Sequence, residues 1–131
     1  MASIESSIDY ESKLTIHTVR GQVTVEEIIR KIKEYHSGEI TMLVIWDFSE
    51  ADVSKVSPEE VRSILPVGRK FAETRKVGKT ALVFSTDSAY GLGRMYEAFT
   101  ELEAFPVENR CFKSMKGAMQ WLGILPQDST I

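Results

Sequence analysis

The residues of this chain that are best suited to bind a ligand follow two apolar segments, at residues 42–46 and 80–84. A carboxylate, a hydroxyl or a guanidinium at such positions can orient a polar or anionic molecule. The candidate ligand-binding residues, after these segments and in the helix that follows the second, are Asp47, Phe48, Ser49, Ser85, Asp87, Ser88, Gly91, Arg94 and Tyr96. For most of the polar residues in this set, a purely structural role also stays open. Such a residue would brace a loop or pair with a neighbouring charge.

The chain offers no complete catalytic or metal-binding set. His17 and His36 are its only histidines, and neither has a His, Cys or Asp at the spacing of a metal site. The lone Cys111 has no histidine partner that the sequence can predict, which favours a buried and inert thiol. We therefore expect a protein that is not an enzyme and has no cofactor and no metal. A hydrolase or transferase that uses Asp47 or Asp87 remains an alternative.

Two glycines, Gly91 and Gly93, lie near the start of a predicted helix, where glycines can let a backbone approach a phosphate. A dinucleotide fingerprint needs a third Gly or Ala three residues after Gly93, and this chain has Tyr96 there. We therefore expect both glycines to allow close packing of the helix on the sheet. Phosphate binding is the minor alternative.

Length and composition predict one globular domain over residues 1–131. Its 131 residues are 43% hydrophobic and 27% charged, which suits one packed core. The 16 Lys and Arg against 19 Asp and Glu give a net charge of −3, so a nucleic-acid partner is not expected. The longest apolar run, residues 42–46, is too short for a transmembrane helix. The first residues lack the basic and apolar regions of a secretory signal, and we expect a cytoplasmic protein.

The N-terminal part predicts a hairpin followed by a helix. Residues 8–10 and 14–19 are short β-type segments around a polar turn. A capping box at Thr24 and Glu27 then starts a helix, because each side chain can bond the other residue's backbone amide. Gly38 is expected to end this helix. Its apolar stripe consists of Val25, Ile28, Ile29, Ile32 and Tyr35.

The middle of the chain predicts a buried strand and a second helix. The run at residues 42–46 is typical of a strand that is buried on both faces. A second capping box, formed by Ser57 and Glu60, starts the helix. Pro66 lies inside this helix and cannot donate a backbone hydrogen bond, so we expect a kink or a break near Leu65.

The C-terminal half continues the alternation of strands and helices. Residues 80–84 predict a second buried strand, and residues 107–112 a weaker one. The helix between them is expected to line its core side with Leu92, Met95, Phe99 and Leu102. Ser114 caps a last helix that ends at Gly123. We predict an α/β fold: a single domain with a mixed, mostly parallel sheet of about five strands, an N-terminal antiparallel hairpin and about four helices.

The loops after the two buried strands are expected to leave the sheet at the same edge, where open α/β sheets bind ligands. Arg94 would there hold a carboxylate, phosphate or headgroup, while Phe48 and Tyr96 cover its less polar part. A basic cluster around the second helix could attract anionic headgroups or an acidic partner, although a solvated helix face also explains it. The cluster consists of Arg69, Lys70, Arg75, Lys76 and Lys79.

Three segments together resemble the SpoIIAA-like family, whose members are also described as STAS-like or CRAL-TRIO-like. They are residues 43–49 (LVIWDFS), 91–96 (GLGRMY) and 118–122 (AMQWL), and the resemblance covers residues 8–123. It implies a small α/β domain and, through fold relatives, binding of a lipid or small molecule. STAS regulators of the anti-sigma factor antagonist type switch partner binding by phosphorylation of a serine. Of the corresponding residues 55–57 only Ser57 matches, and helix capping explains it.

The function expected from the sequence is that of a non-enzymatic cytoplasmic domain. It binds a lipid or a small anionic or amphipathic molecule at the carboxyl edge of its sheet. A STAS-type regulatory module that binds another protein is the first alternative, and the hydrolase or transferase named above is the second. A protein partner and a second copy of the chain both stay open, whereas nucleic acid and a transmembrane segment are not expected.

Overall fold

The computed structural model describes residues 2–124, which form one five-stranded sheet with helices on both faces. The strands are β1 (Ser3–Asp9), β2 (Leu14–Gln22), β3 (Leu43–Asp52), β4 (Lys79–Val83) and β5 (Glu108–Phe112). The helices are α1 (Val25–His36), α2 (Pro58–Arg75), α3 (Asp87–Leu102) and α4 (Met115–Leu122).

The strands lie in the order β1-β2-β3-β4-β5. β1 is antiparallel to β2, and every other neighbouring pair is parallel. This topology confirms the predicted mixed sheet with its N-terminal hairpin, and it brings the carboxyl ends of four strands to one edge. Within residues 2–124, no helix has the length and apolarity that a membrane span requires.

Alternation along the central strand β3 divides the core between the two faces of the sheet. Val44, Trp46 and Phe48 join the larger hydrophobic cluster, which also contains side chains of α1, α2 and α3. Ile45 packs on the other face with Ala118 of α4. Val44, Ile45 and Trp46 are all buried, which confirms the prediction of a strand covered on both sides.

Local capping signals start the helices where the sequence predicts. At α1 the Glu27 amide donates to Thr24 Oγ1 at 3.3 Å, and the Thr24 amide donates to Glu27 Oε1 at 2.9 Å. Ser57 and Glu60 form the same pair of bonds at α2, with distances of 3.1 and 2.9 Å. Gly123 ends α4 in the left-handed conformation, with a φ of 77°.

Ser57→Ala is expected to lower the free energy of unfolding by about 1 kcal/mol, because the Glu60 amide loses its capping acceptor. Ser57→Asp is expected to be nearly neutral, since aspartate is an equally good cap. Urea denaturation of the two variants and the wild type measures both effects. An Asp variant that is as unstable as the Ala variant would contradict the capping role.

α2 is not interrupted at Pro66, so the predicted break near Leu65 is wrong, and the kink that was its alternative stays a prediction. The helix is one element of 18 residues, and Pro66 is exposed on its surface. The proline cannot donate to the Arg62 carbonyl, at a cost of about 3 kcal/mol. However, Ile64, Leu65 and Phe71 are buried, and burying each such side chain contributes about 1.5–3 kcal/mol. Side-chain burial therefore outweighs the lost hydrogen bond.

The face of α3 that meets the core differs from the predicted one. Leu102 is 82% exposed, so its assignment to the core is wrong. Three other residues of the predicted stripe are only half-buried: Leu92, Met95 and Phe99. The buried positions of α3 are Ala89, Gly93 and Thr100. Small side chains let this helix lie close to the sheet, and a stripe of large apolar residues does not predict such contacts.

Candidate functional site

An apolar cavity lies between the sheet and α2, on the face that α1, α2 and α3 cover. Its volume is about 110 Å³. Side chains from all of these elements line it, among them Ile28, Phe48, Ile64, Leu82, Leu92 and Val107. Helix side chains therefore form one wall of the cavity, and side chains of the strands form the other.

Three stacked aromatic rings contribute to the strand side of the cavity. The ring centroids of Trp46 and Phe48 lie 5.9 Å apart with an interplanar angle of 12°. Those of Phe48 and Phe84 lie 5.3 Å apart with an angle of 3°. Each such pair stabilises its arrangement by about 0.5–1.5 kcal/mol beyond the area that it buries. This wall therefore keeps its shape without a ligand.

Two glycines make room for aromatic side chains that line the cavity. A Cβ on Gly68 would lie 2.2 Å from the Tyr96 hydroxyl, and a Cβ on Gly93 would lie 2.2 Å from a Phe84 ring carbon. The predicted close packing of α3 is thus confirmed at Gly93. Nothing lies within 4 Å of a Cβ on Gly91, so the packing role predicted for that residue is wrong. It occupies the exposed side of the helix, where no neighbour approaches.

Polar side chains line the cavity near the amino ends of β4 and β5. Thr80 and Asn109 are register partners in these strands, and Arg75 is the last residue of α2. Arg75 Nη1 donates to Thr80 Oγ1 at 2.6 Å, while Nη2 donates to the carbonyls of Lys79 and Met42. Burial lowers the pKa of Arg75 to about 10, so its guanidinium is charged at neutral pH.

The sequence did not single out these three polar residues as a site. Arg75 entered only as one member of a basic cluster that was interpreted as solvated. A signal was nevertheless present, because Arg75 follows Phe71 by four residues and so shares the apolar face of α2. Charged residues are rare on buried apolar faces, so this position could have identified Arg75 as a candidate site residue.

Two of the predicted ligand-binding residues, Phe48 and Tyr96, line the cavity. They come from opposite walls, since Phe48 belongs to β3 and Tyr96 to α3. Burial raises the pKa of the Tyr96 phenol, which stays a neutral hydroxyl. The structure therefore brings together the pair that was expected to cover the less polar part of a ligand.

Asp47 and Ser49 lie on the opposite face of β3 from Phe48, because side chains alternate along a strand. The Ser49 amide and hydroxyl both donate to Asp47 Oδ1, at 3.0 and 2.6 Å. The Ser85 hydroxyl donates to the Ser49 carbonyl at 2.8 Å. These three residues form a hydrogen-bonded group at the carboxyl edge, which we call the edge cluster. They are not among the residues that line the cavity.

The other candidates at the start of α3 are exposed. Asp87 pairs with Lys113 Nζ at 2.5 Å, and this lysine lowers the pKa of the Asp87 carboxyl. Ser88 and Gly91 lie in the first turns of the helix, also in contact with solvent. None of the three lines the cavity.

Arg94 is also separate from the cavity. Its side chain is 58% exposed, and Nε lies 3.7 Å from Glu97 Oε2. Glu97 in turn accepts a hydrogen bond from the Cys111 amide at 2.8 Å. The pairing of Arg94 with Glu97, which was the structural alternative for this arginine, is thus present.

Solved bacterial structures share the fold of this chain. An uncharacterized protein from the DUF3478 family with a SpoIIAA-like fold, from Shewanella loihica, gives a TM-score of 0.58 at 19% identity, covering 92% of this chain and 93% of that one. An anti-sigma factor antagonist from Mycobacterium paratuberculosis gives 0.59 at 11% identity, covering 94% and 95%. Bacillus SpoIIAA in its phosphorylated form gives 0.52 at 16% identity, covering 91% and 98%. This chain has a SpoIIAA-like fold.

The SpoIIAA-like fold confirms the motif-based resemblance at the level of architecture. Compared by sequence, the chain matches no family model and no curated protein. The three similar structures are all less than 25% identical to it, and they agree with it over nearly the whole described chain. What they bind is therefore not transferred to this chain by similarity alone.

Two further side chains of reactive types are buried in the core of this SpoIIAA-like domain. His17 is fully buried, with Nδ1 2.7 Å from Ser6 Oγ and its ring against Tyr35 and Trp46. Burial lowers the pKa of His17 to about 3 and raises the pKa of the Cys111 thiol to about 12. Both groups are neutral at pH 7. Across residues 2–124, no three His, Cys, Asp or Glu side chains are grouped to hold a metal ion.

Proposed function

We propose that this SpoIIAA-like domain is a non-enzymatic binding protein, whose cavity between α2 and the sheet takes up a small amphipathic molecule. The observation that carries the proposal is a cavity with apolar walls and a few polar side chains at one end. Such sites bind an apolar body by burial and orient it through a small number of polar contacts. The ligand would fill the cavity that α2 covers.

The cavity volume restricts the size of this molecule. About 110 Å³ is somewhat smaller than the engineered cavity of roughly 150 Å³ that is known to hold benzene. A single ring or a short branched chain matches this space, whereas a long acyl chain would require the walls to move. A lipid ligand, which the family resemblance implies, would therefore need a short apolar part.

The predicted site residues divide between two roles in this proposal. Phe48 and Tyr96 would contact the ligand inside the cavity, from the strand side and the helix side. The edge cluster of Asp47, Ser49 and Ser85 would instead form part of the outer surface. The same holds for the exposed residues of α3, namely Asp87, Ser88, Gly91 and Arg94.

A second candidate function is a STAS-type regulatory module that binds another protein. The similarity in fold to an anti-sigma factor antagonist and to SpoIIAA favours it. The contact surface would then include the edge cluster and the exposed start of α3. Ser57 is not needed for it, since that residue is occupied in capping α2.

Native mass spectrometry of the freshly purified protein tests the first candidate against the second. We expect a fraction of the molecules to carry a small additional mass, and denaturing extraction to release one compound. Recovery of one specific protein in a pull-down, from material that carries no added mass, would instead support the regulatory module.

Leu92→Trp is expected to lower ligand binding by about tenfold or more, which corresponds to ~1.4 kcal/mol, because the larger side chain takes up cavity volume. Leu102→Trp is the matched control on the same helix, since Leu102 is 82% exposed and does not line the cavity. The amount of co-purified compound per protein measures both. Full ligand content in a folded Leu92→Trp protein would place the binding site elsewhere.

A further inference from the structure

β1 is an edge strand of the sheet, and its outer side is open. It pairs with β2 over all seven of its residues, without a bulge. In the described part of the chain, the backbone of β1 forms its hydrogen bonds with β2 alone. On one face a cleft separates Ser6 and Ile8 from α1, and on the other face α4 lies over β3, β4 and β5. The outer backbone groups of β1 are therefore free to pair with another strand.

The opposite edge of the sheet, β5, is covered. α3 and α4 both contact this strand, and the Cys111 amide donates to Glu97 Oε1 of α3 at 2.8 Å. Proteins usually protect an edge strand by such cover, or by a bulge, a proline or a lysine. The sequence of β1, SIESSID, contains no proline, lysine or arginine. Of the two edges of this sheet, only β1 is thus left unprotected.

We propose that β1 pairs in the antiparallel direction with β1 of a second copy of the chain, which joins the two sheets around a two-fold axis. The axis is perpendicular to the sheet and passes beside Ser6, so that Ser6 faces its own copy. Ile4 then lies opposite Ile8 of the second copy, and Glu5 opposite Ser7. All residues of β1 find a partner in this register. The proposal is independent of the proposed function, because β1 does not line the cavity.

Charge excludes the two neighbouring registers. Two-fold symmetry requires one residue of β1 to face its own copy, and an axis moved by one residue would pass beside Glu5 or Ser7. The first shift places Glu5 opposite its own copy, and the second places Glu5 opposite Asp9. Like charges directly opposite each other destabilise a sheet. Either shift also leaves residues at one end of β1 without a partner.

The side chains of β1 suit the Ser6-centred register. Ile4 and Ile8 are both only half-buried, and they lie on the same face of the strand because side chains alternate. Each would be covered by an isoleucine of the second copy. Glu5 already pairs with Arg20 at 2.7 Å, and Asp9 Oδ1 accepts backbone amides of the following turn. Pairing of two copies therefore leaves no carboxylate without a partner.

Single cysteines at two adjacent, exposed serines test this register directly. On mild oxidation, Ser6→Cys is expected to form a disulfide-linked dimer at least about tenfold faster than Ser7→Cys, because only the residue at the axis lies within disulfide distance of its copy. A cysteine at position 7 would be displaced from its copy by about 7 Å along the strand. The wild type gives the background rate, since Cys111 is buried. Equal rates for the two variants, or a faster reaction of Ser7→Cys, would overturn the proposal.

Charge substitutions at Ser7 test the same pairing without a covalent bond. A lysine at this position would face Glu5 of the second copy twice in each dimer, whereas a glutamate would repel it twice. The dimer Kd of Ser7→Lys is expected to be lower than that of Ser7→Glu by about tenfold or more. Sedimentation equilibrium at low salt measures both values. Equal Kd values for the two variants would contradict the proposed contact.

Sedimentation of the wild type covers the case in which a variant does not fold. A monomer–dimer equilibrium without larger species is expected, because an interface around a two-fold axis is closed once two copies have paired. A wild type that is still monomeric at about 1 mM would overturn the proposal. Species larger than a dimer would also overturn it, since they require a second contact surface.

Discussion

Gly93→Ala is expected to lower the free energy of unfolding by about 1–3 kcal/mol, which is the usual cost of overpacking a core. The new Cβ would lie 2.2 and 2.6 Å from two Phe84 ring carbons and 3.0 Å from Cys111 Sγ. Phe84 cannot move freely, since its ring is stacked on Phe48 with centroids 5.3 Å apart. Alanine's better helix propensity, about 1 kcal/mol, is already included in this net expectation.

Gly91→Ala is the matched control for this substitution, two residues earlier in the same helix. Nothing lies within 4 Å of its Cβ, so only the helix propensity changes. We expect it to raise stability by about 0.5–1 kcal/mol. Urea denaturation measures the difference between the two variants, and equal effects of the two substitutions would show that α3 does not pack on Phe84 as described.

Lowering the pH from 7 to 5 is expected to reduce the stability of the domain by about 2 kcal/mol through His17 alone. Burial lowers the pKa of this histidine from 6.5 to about 3, with a smaller contribution from the charge of Lys31. Between pH 6.5 and about 3 the His17 imidazole is therefore protonated in the unfolded chain but neutral in the folded state. This contribution to stability is complete above pH 6.5, and it is lost progressively as the pH falls towards 3, at about 1.4 kcal/mol per unit.

His17→Phe separates this effect from the titration of the carboxylates. Phenylalanine keeps a ring between Tyr35 and Trp46 but has no titratable nitrogen, and it gives up the contact with Ser6. The variant is expected to be less stable than the wild type at pH 7 and to lose much less stability between pH 7 and 5. The same pH dependence in both proteins would contradict the buried, neutral state of His17.

Features that depend on residues close together in sequence were predictable. The capping boxes at Thr24 and Ser57 start α1 and α2 as expected, because each involves one side chain and an amide three residues later. The alternation of strands and helices was sufficient to predict a mixed sheet. The two buried strands could be predicted from the sequence, because Val44 and Leu82 lie within continuous apolar runs.

Features that depend on how elements pack against each other were not predictable from spacing. Pro66 stays within a helix because distant side chains bury that helix. Asp47 and Phe48 were assigned to one site, although adjacent strand residues point to opposite faces. Arg75 joins Thr80 and Asn109 only after α2 has packed over β4 and β5. The cavity itself arises between elements, so no segment of the sequence predicts it.

The most direct test of the cavity as a binding site is an NMR measurement of intermolecular nuclear Overhauser effects. Benzene would be added to protein with labelled methyl groups, and contacts from its ring protons would be recorded. Contacts to methyl groups of Ile64, Leu82 and Val107 are expected, because these residues line the cavity. Contacts restricted to exposed methyl groups such as those of Val77 and Leu102, at saturating benzene, would contradict this site.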